Sequence, residues 1–156
     1  MTKCSHERLL NIANSYYDAV DSRDIERLAR QYLPTPHTTL QFNSEPAIVT
    51  VEKIKEFSSH FFQVAETIKH SMIEVWTNPL NGDVVPMDLP APRSCLTTTV
   101  ISTAYPTFSI RGSIGMTTVS LPATSLFTID IESEKLVSVH NMFDLGKIYA
   151  VVEASS

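Results

Sequence analysis

Residues 16–34, YYDAVDSRDIERLARQYLP, read as the end of one amphipathic helix, a tight polar turn and a second short helix closed by proline. Upstream, Leu9, Ala13, Tyr16 and Val20 recur at helical spacing. Asp21 and Ser22 offer N-cap chemistry to the helix that follows. That second helix carries Ile25, Leu28, Ala29 and Tyr32 on one face, and Pro34 and Pro36 end it. A helical pair ahead of a strand-rich remainder predicts helices folded over one face of a sheet. Tyr16, Tyr17 and Asp21, at the joint, then look into whatever the sheet encloses.

The rest of the chain fits this frame. Its 156 residues suffice for one domain, 1–156, with a real core, and 43% apolar and 19% charged residues are ordinary for a globular protein. No apolar run approaches the ~20 residues of a membrane span, and the polar N-terminus MTKCSHERLL has no signal-peptide core. Cys4 and Cys95 make no disulfide framework, so both are expected to be reduced in a cytoplasmic protein. A net charge of −5 without Lys/Arg clusters argues against nucleic acid, whose binding leans on phosphate neutralisation.

Helices are expected over 5–21, 24–33 and 51–68. The last carries Thr50 as N-cap and a stripe of Ile54, Phe57, Phe61, Val64, Ala65 and Ile68. HTTLQFN (37–43) alternates as a strand, and HSMIEVWT (70–77) is strand-like. The proline-rich segment 78–95 reads as a long loop, expected to border a pocket. Residues 96–110 form a long strand that Pro106 should interrupt. Residues 116–131 form another, with Pro122 in a similar role, and 135–143 a return strand. The tail from Leu145 reads as a short helix or a frayed end. The sum is an α+β cone: a strongly curved antiparallel sheet, barrel-like, wrapped around three N-terminal helices. The Thr/Val/Ile strands have β-branched or apolar residues on both faces, which predicts a homodimer through the outer face of the sheet.

With this element order, the chain resembles the nuclear-transport-factor-2-like superfamily, which includes SnoaL-like polyketide cyclases, ketosteroid isomerase and scytalone dehydratase. VDSRDIERLARQYLPT (20–35) resembles the helix-turn-helix of scytalone dehydratases, and IKHSMIEVW (68–76) the start of one of their strands. The resemblance implies an active-site aspartate at Asp21 and a catalytic histidine at His70. It also implies departures. A second family histidine falls near Tyr105, family tyrosines fall at Val20 and near Leu40, and the carboxylate base of ketosteroid isomerase falls near Gln41. The oxyanion-donating tyrosine of that isomerase falls on Tyr16.

The residues themselves bear several readings. His70 is a proton-transfer group near neutral pH, or a polar residue interacting with the third helix's last carbonyls. Asp21 is its orienting partner, or a cap, or both. Tyr16 and Tyr105 are donors to a substrate carbonyl, or core. If His70 faces inward, strict alternation turns Met72, Glu74 and Trp76 inward too, unless a bulge after His70 flips them. One of His140 and Asn141 faces the pocket, and His140 is the candidate. Expected substrate contacts are Trp76, Phe61, Leu40, Glu74, Thr124, His140 and Met142. No metal-ligand spacing, phosphate loop or dinucleotide fingerprint appears, so no cofactor is expected. Two functions fit: a cofactor-free isomerase, cyclase or dehydratase acting on a small apolar polyketide- or terpenoid-like molecule, or a non-catalytic ligand-binding or dimerisation module.

Overall fold

The computed structural model describes residues 5–77, 97–112 and 115–154. Helix α1 (His6–Asp21) starts at Ser5, whose Oγ accepts the Arg8 N–H at 3.3 Å. It buries Leu9, Ile12, Ala13, Tyr16, Tyr17 and Ala19, a wider apolar face than the expected single stripe. The turn is capped differently from expectation. Asp24, not Asp21 or Ser22, caps α2 (Ile25–Ala29) and accepts the Arg27 N–H at 2.9 Å. Arg23 takes a left-handed φ of 55°, so the chain reverses there and Asp21 remains in the last turn of α1. α2 is also shorter than 24–33, because Tyr32 is drawn into a parallel bridge with Leu136.

Strand β1 (Thr39–Phe42) and the short β2 (Ile48–Val49) precede α3 (Val51–Val64). Thr50 caps α3 as the sequence predicts, but the helix stops at Val64 rather than at 68. Ala65 and Ile68 are buried from strand β3 (Ala65–Thr77) instead, Ile68 opposite Phe108. A β-branched segment with a partner strand outcompetes one further helical turn. The remaining elements are β4 (Thr97–Gly112), β5 (Gly115–Ser120), β6 (Ala123–Asp130), β7 (Lys135–Met142) and α4 (Leu145–Ala154). Sequence expectations for residues 78–95 lie outside the described residues.

The sheet runs β2-β1-β7-β6-β4-β3, with β5 paired to β4, and does not close. It is mixed rather than purely antiparallel, because β1 joins β7 in parallel. Pro122 does break the predicted strand, into β5 and β6. Pro106 does not interrupt β4. It sits between the end of the β6 ladder at Ala104 and the start of the β5 ladder at Thr107, on a side where its missing N–H leaves no bond unmade.

Register decides what faces the helices. On β4, Val100, Ser102, Ala104, Pro106, Phe108 and Ile110 point inward and are buried, and the residues between point out. Val100 pairs with Phe127 and Phe127 with Val139, forming the floor on which Tyr16 and Tyr17 pack edge-on. On the outer face, Trp76, Ile101, Leu126 and His140 stand in one row across four strands. Glu74, Thr103, Thr124 and Met142 form the next row.

Two substitutions test this assignment. Phe127→Ala, at a fully buried inner position, should lower the unfolding free energy by ~3–5 kcal/mol. Ile101→Thr, one register step away on the outer face, should cost less than about 1 kcal/mol. Urea denaturation of both variants checks it, and equal losses would refute the face assignment.

Candidate active site

Asp21 ends α1 against one edge of the sheet, strand β3. His70 pairs with Pro106, whose carbonyl is turned away to accept from Leu121 N–H at 3.3 Å. His70 and Pro106 are therefore a non-hydrogen-bonded pair, and the His70 N–H points off the edge. Asp21 receives it: Oδ2 accepts the His70 N–H at 2.9 Å, and Oδ1 accepts from His70 Nδ1 at 2.5 Å. A carboxylate can only accept, so the proton sits on Nδ1 and Nε2 is left as the basic nitrogen. Arg23 stitches the same edge, donating to the Glu66 carbonyl at 2.6 Å and to the Phe62 carbonyl at the end of α3. The His70 side chain is 10% exposed and that of Asp21 27%. The Tyr17 ring packs on the imidazole, with centroids 4.5 Å apart.

His70 opens onto an apolar cavity of about 60 Å³ between the helices and the inner face of the sheet. Tyr16, Leu40 and Phe61 line it, together with Tyr17, Asn141 and Ser125. Ser125 Oγ donates to Asn141 Oδ1 at 2.7 Å, which leaves the Asn141 Nδ2 as a donor. Tyr17 donates to Ser102 Oγ at 3.0 Å, and Ser102 to the Glu74 carbonyl at 2.9 Å. Burial raises the Tyr16 hydroxyl to about 12, only partly opposed by the adjoining Asn141 side chain. Burial also raises Tyr17 and Tyr32. The Tyr32 hydroxyl approaches Tyr16 without hydrogen-bond geometry and is left unpaired among the described residues.

Five phenylalanines form a closed collar around this cavity. Phe42 meets Phe57, Phe57 meets Phe61, Phe61 meets Phe108, Phe108 meets Phe143, and Phe143 returns to Phe42, with centroids 5.2–6.2 Å apart. Such offset and edge contacts hold rings in defined orientations. Asn43, at a left-handed φ of 48°, clamps Phe143 by donating to its carbonyl at 2.7 Å and accepting its N–H at 3.0 Å.

The other sequence candidates lie elsewhere. A bulge between Ser71 and Glu74, with Met72 at φ 51°, switches the parity of β3. Glu74 and Trp76 therefore face outward, and Trp76 is 49% exposed. Tyr105, expected near the chemistry, is 45% exposed on the outer side of β4. Thr124, His140 and Met142 share that outer face through the β6–β7 register, so Asn141 takes the inner position given to His140. His140 Nε2 donates to the Asn43 carbonyl at 2.6 Å. His70 is a mid-strand residue, not the end of a helix. Ser102 and Ser125 were not singled out as site residues; Tyr17 was expected only to look into the enclosed space, and Asn141 was the alternative to His140. Among the described residues, no group of three or more His, Cys, Asp or Glu could hold a metal.

No family model and no curated protein matches the sequence. Solved structures do match. A protein named as a SnoaL-like polyketide cyclase from Shewanella denitrificans aligns with a TM-score of 0.69 at 10% identity, over 95% of this chain and 98% of that one. A protein named as a dehydratase of the NTF2-like family, from Streptomyces avermitilis, aligns at 0.57 and 18% identity, over 87% and 93%. TerC, co-crystallised with polyporic acid, aligns at 0.66 and 15%, over 94% and 98%. The chain thus has the NTF2-like fold.

The buried tyrosines make an alkaline prediction. A hydroxyl whose folded pKa lies above its unfolded value holds its proton more tightly when folded. Its stabilising effect is full below pH 10 and is lost as pH rises toward about 12. Stability should fall with a slope of up to ~1.4 kcal/mol per pH unit for each such group. Tyr16→Phe should flatten the fall between pH 10 and 12, as read from denaturant midpoints against pH; an unchanged slope would refute it.

Proposed function

We propose that this chain is a cofactor-independent acid–base enzyme, an isomerase, cyclase or dehydratase, acting on a small, largely apolar polyketide- or terpenoid-like molecule. The observation that carries the reading is the His70 ring: its Nδ1 proton is held by Asp21 and it opens onto an otherwise apolar cavity. Nε2 takes a proton from a C–H or O–H of the substrate, forming an imidazolium that the Asp21 carboxylate stabilises. The same nitrogen returns the proton at a different atom, which isomerisation, cyclisation and dehydration all require. The Tyr16 hydroxyl, neutral throughout the physiological range, and the Asn141 amide are the donors for a carbonyl or developing oxyanion. Proteins of this fold named as a cyclase and as a dehydratase, and one co-crystallised with a small molecule, support the same class.

The outer sheet face, with Trp76, Ile101 and Tyr105 exposed between threonines, is the surface we propose for a homodimer. Exposed apolar patches of this kind mark interfaces. Sedimentation at micromolar concentration should show a species near twice 17.4 kDa, and Trp76→Glu with Ile101→Glu should return it to monomer. A wild-type chain that sediments only as monomer would refute the dimer.

His70→Ala should lower kcat by ~10²–10⁴ with the fold retained, and Asp21→Asn by less. Turnover of the substrate by His70→Ala within about threefold of wild type lies below that range. It would leave the chain as a pocket that binds or folds its ligand without proton transfer.

A further inference from the structure

The cavity beside His70 is small for the molecule it is proposed to transform. At about 60 Å³, it is under half the ~150 Å³ of an apolar cavity known to take up one benzene. Ligand pockets for larger organic molecules run to ~300–1,000 Å³. Directly outside lies an open groove of about 600 Å³, between the start of α4 and the β1–β2 connection. Its apolar wall is Ile48, Leu145 and Tyr149, and Tyr149 is 54% exposed. The two spaces share Phe42 and Phe57, which are both members of the phenylalanine collar. Those rings are therefore the boundary between a small chamber that holds the chemistry and a large one that does not.

We propose that the groove is the second half of the ligand site. The ligand is an elongated molecule with a flat apolar body. Its small reactive head, a hydroxyl or carbonyl with the ring edge that bears it, passes the collar to His70, and at least one further ring lies outside against Ile48, Leu145 and Tyr149. This rests on the reading of His70 as the proton-transfer residue, which fixes where the head must be. The groove also selects charge. Its wall carries two carboxylates, Glu45 and Asp144, and Lys147 approaches Asp144 at 4.0 Å. An anionic body is disfavoured there, and a neutral or hydroxylated one is accepted.

Three probes test it: phenol, 4-phenylphenol, and 4′-hydroxybiphenyl-4-carboxylate. Each is titrated into the full chain by calorimetry while the His70 ring signals are followed by NMR. 4-Phenylphenol should bind at least about tenfold tighter than phenol, because one more ring is buried. The carboxylate should lose about tenfold against 4-phenylphenol. Tyr149→Asp should weaken 4-phenylphenol by roughly tenfold and leave phenol within about twofold. Gly146→Phe, which fills the groove from a position where an added Cβ meets only the Asp144 side chain, should do the same. Both phenols should shift the His70 signals.

Equal affinity for the two phenols overturns the groove, as do groove variants that leave 4-phenylphenol unaffected. In both cases the proton-transfer reading stands. An absence of binding by either phenol at millimolar concentration overturns the groove as well. A change in sedimentation by Tyr149→Asp without a change in affinity assigns the groove to a second copy of the chain, and also overturns it. Binding that leaves the His70 signals still refutes the placement of the head, and the proposed function with it.

Discussion

One carboxylate holds the outer edge of the sheet to the first helix. An edge strand presents unpaired N–H and C=O groups that must be satisfied or guarded. In β3 the guarded group is the His70 N–H, exposed at the edge because Pro106 opposite belongs to a pair that exchanges no hydrogen bonds. Asp21 satisfies that N–H with one oxygen and orients the imidazole with the other. The interaction that docks α1 on the sheet thus also fixes the tautomer of the candidate base. Arg23 reinforces it from the next residue but one, because a left-handed turn aims its guanidinium back at α3 and β3. Helix, turn, edge strand and candidate base form one connected unit.

Inside that unit, the chemistry of the cavity follows from which face each strand turns inward. The inner face carries small hydroxyls and one amide: Ser125 of β6 pairs with Asn141 of β7, and Ser102 of β4 with Tyr17 and the Glu74 carbonyl. Paired polar groups of this kind cost little to bury and keep direction. Ser102 also fastens the Glu74 carbonyl just past the bulge, while Ser71 donates to the Tyr105 carbonyl at 3.1 Å before it. The irregular step in β3 is thus pinned on both sides. Tyr17 is the link, with its ring on His70 and its hydroxyl on Ser102.

Much of this was legible in the sequence, and the rest failed for one shared reason. α1 and α3 announce themselves through apolar stripes, α3 also through Thr50, and the pairing of Asp21 with His70 came from the resemblance of two short segments. The α+β order was readable because helical and strand periods alternate along the chain. Six candidates, Glu74, Trp76, Tyr105, Thr124, His140 and Met142, fall together on the outer face. Strand parity is a two-way choice, and a single bulged residue reverses it for everything downstream. Glu74 and Trp76 turned outward with the Met72 bulge, the flip that the sequence reading itself raises, and His140 and Asn141 exchanged faces on the same kind of choice. Ser102 and Ser125 gave no separate signal, because a serine in a strand reads as solvent-facing.

The phenylalanine collar is assembled from β1, α3, β4 and the residue after β7. None of its members comes from α1 or β3, the two elements that carry Asp21 and His70. The shape of the collar and the contact that orients the imidazole are therefore separable heritable characters. Replacing a collar ring with a smaller or polar side chain redraws the passage while the edge contact that aligns the imidazole is left alone. A lineage could in this way exchange one ligand for another over many substitutions and keep its backbone. The backbone itself does tolerate such change, since neighbours superpose along 87–95% of this chain at 10–18% identity.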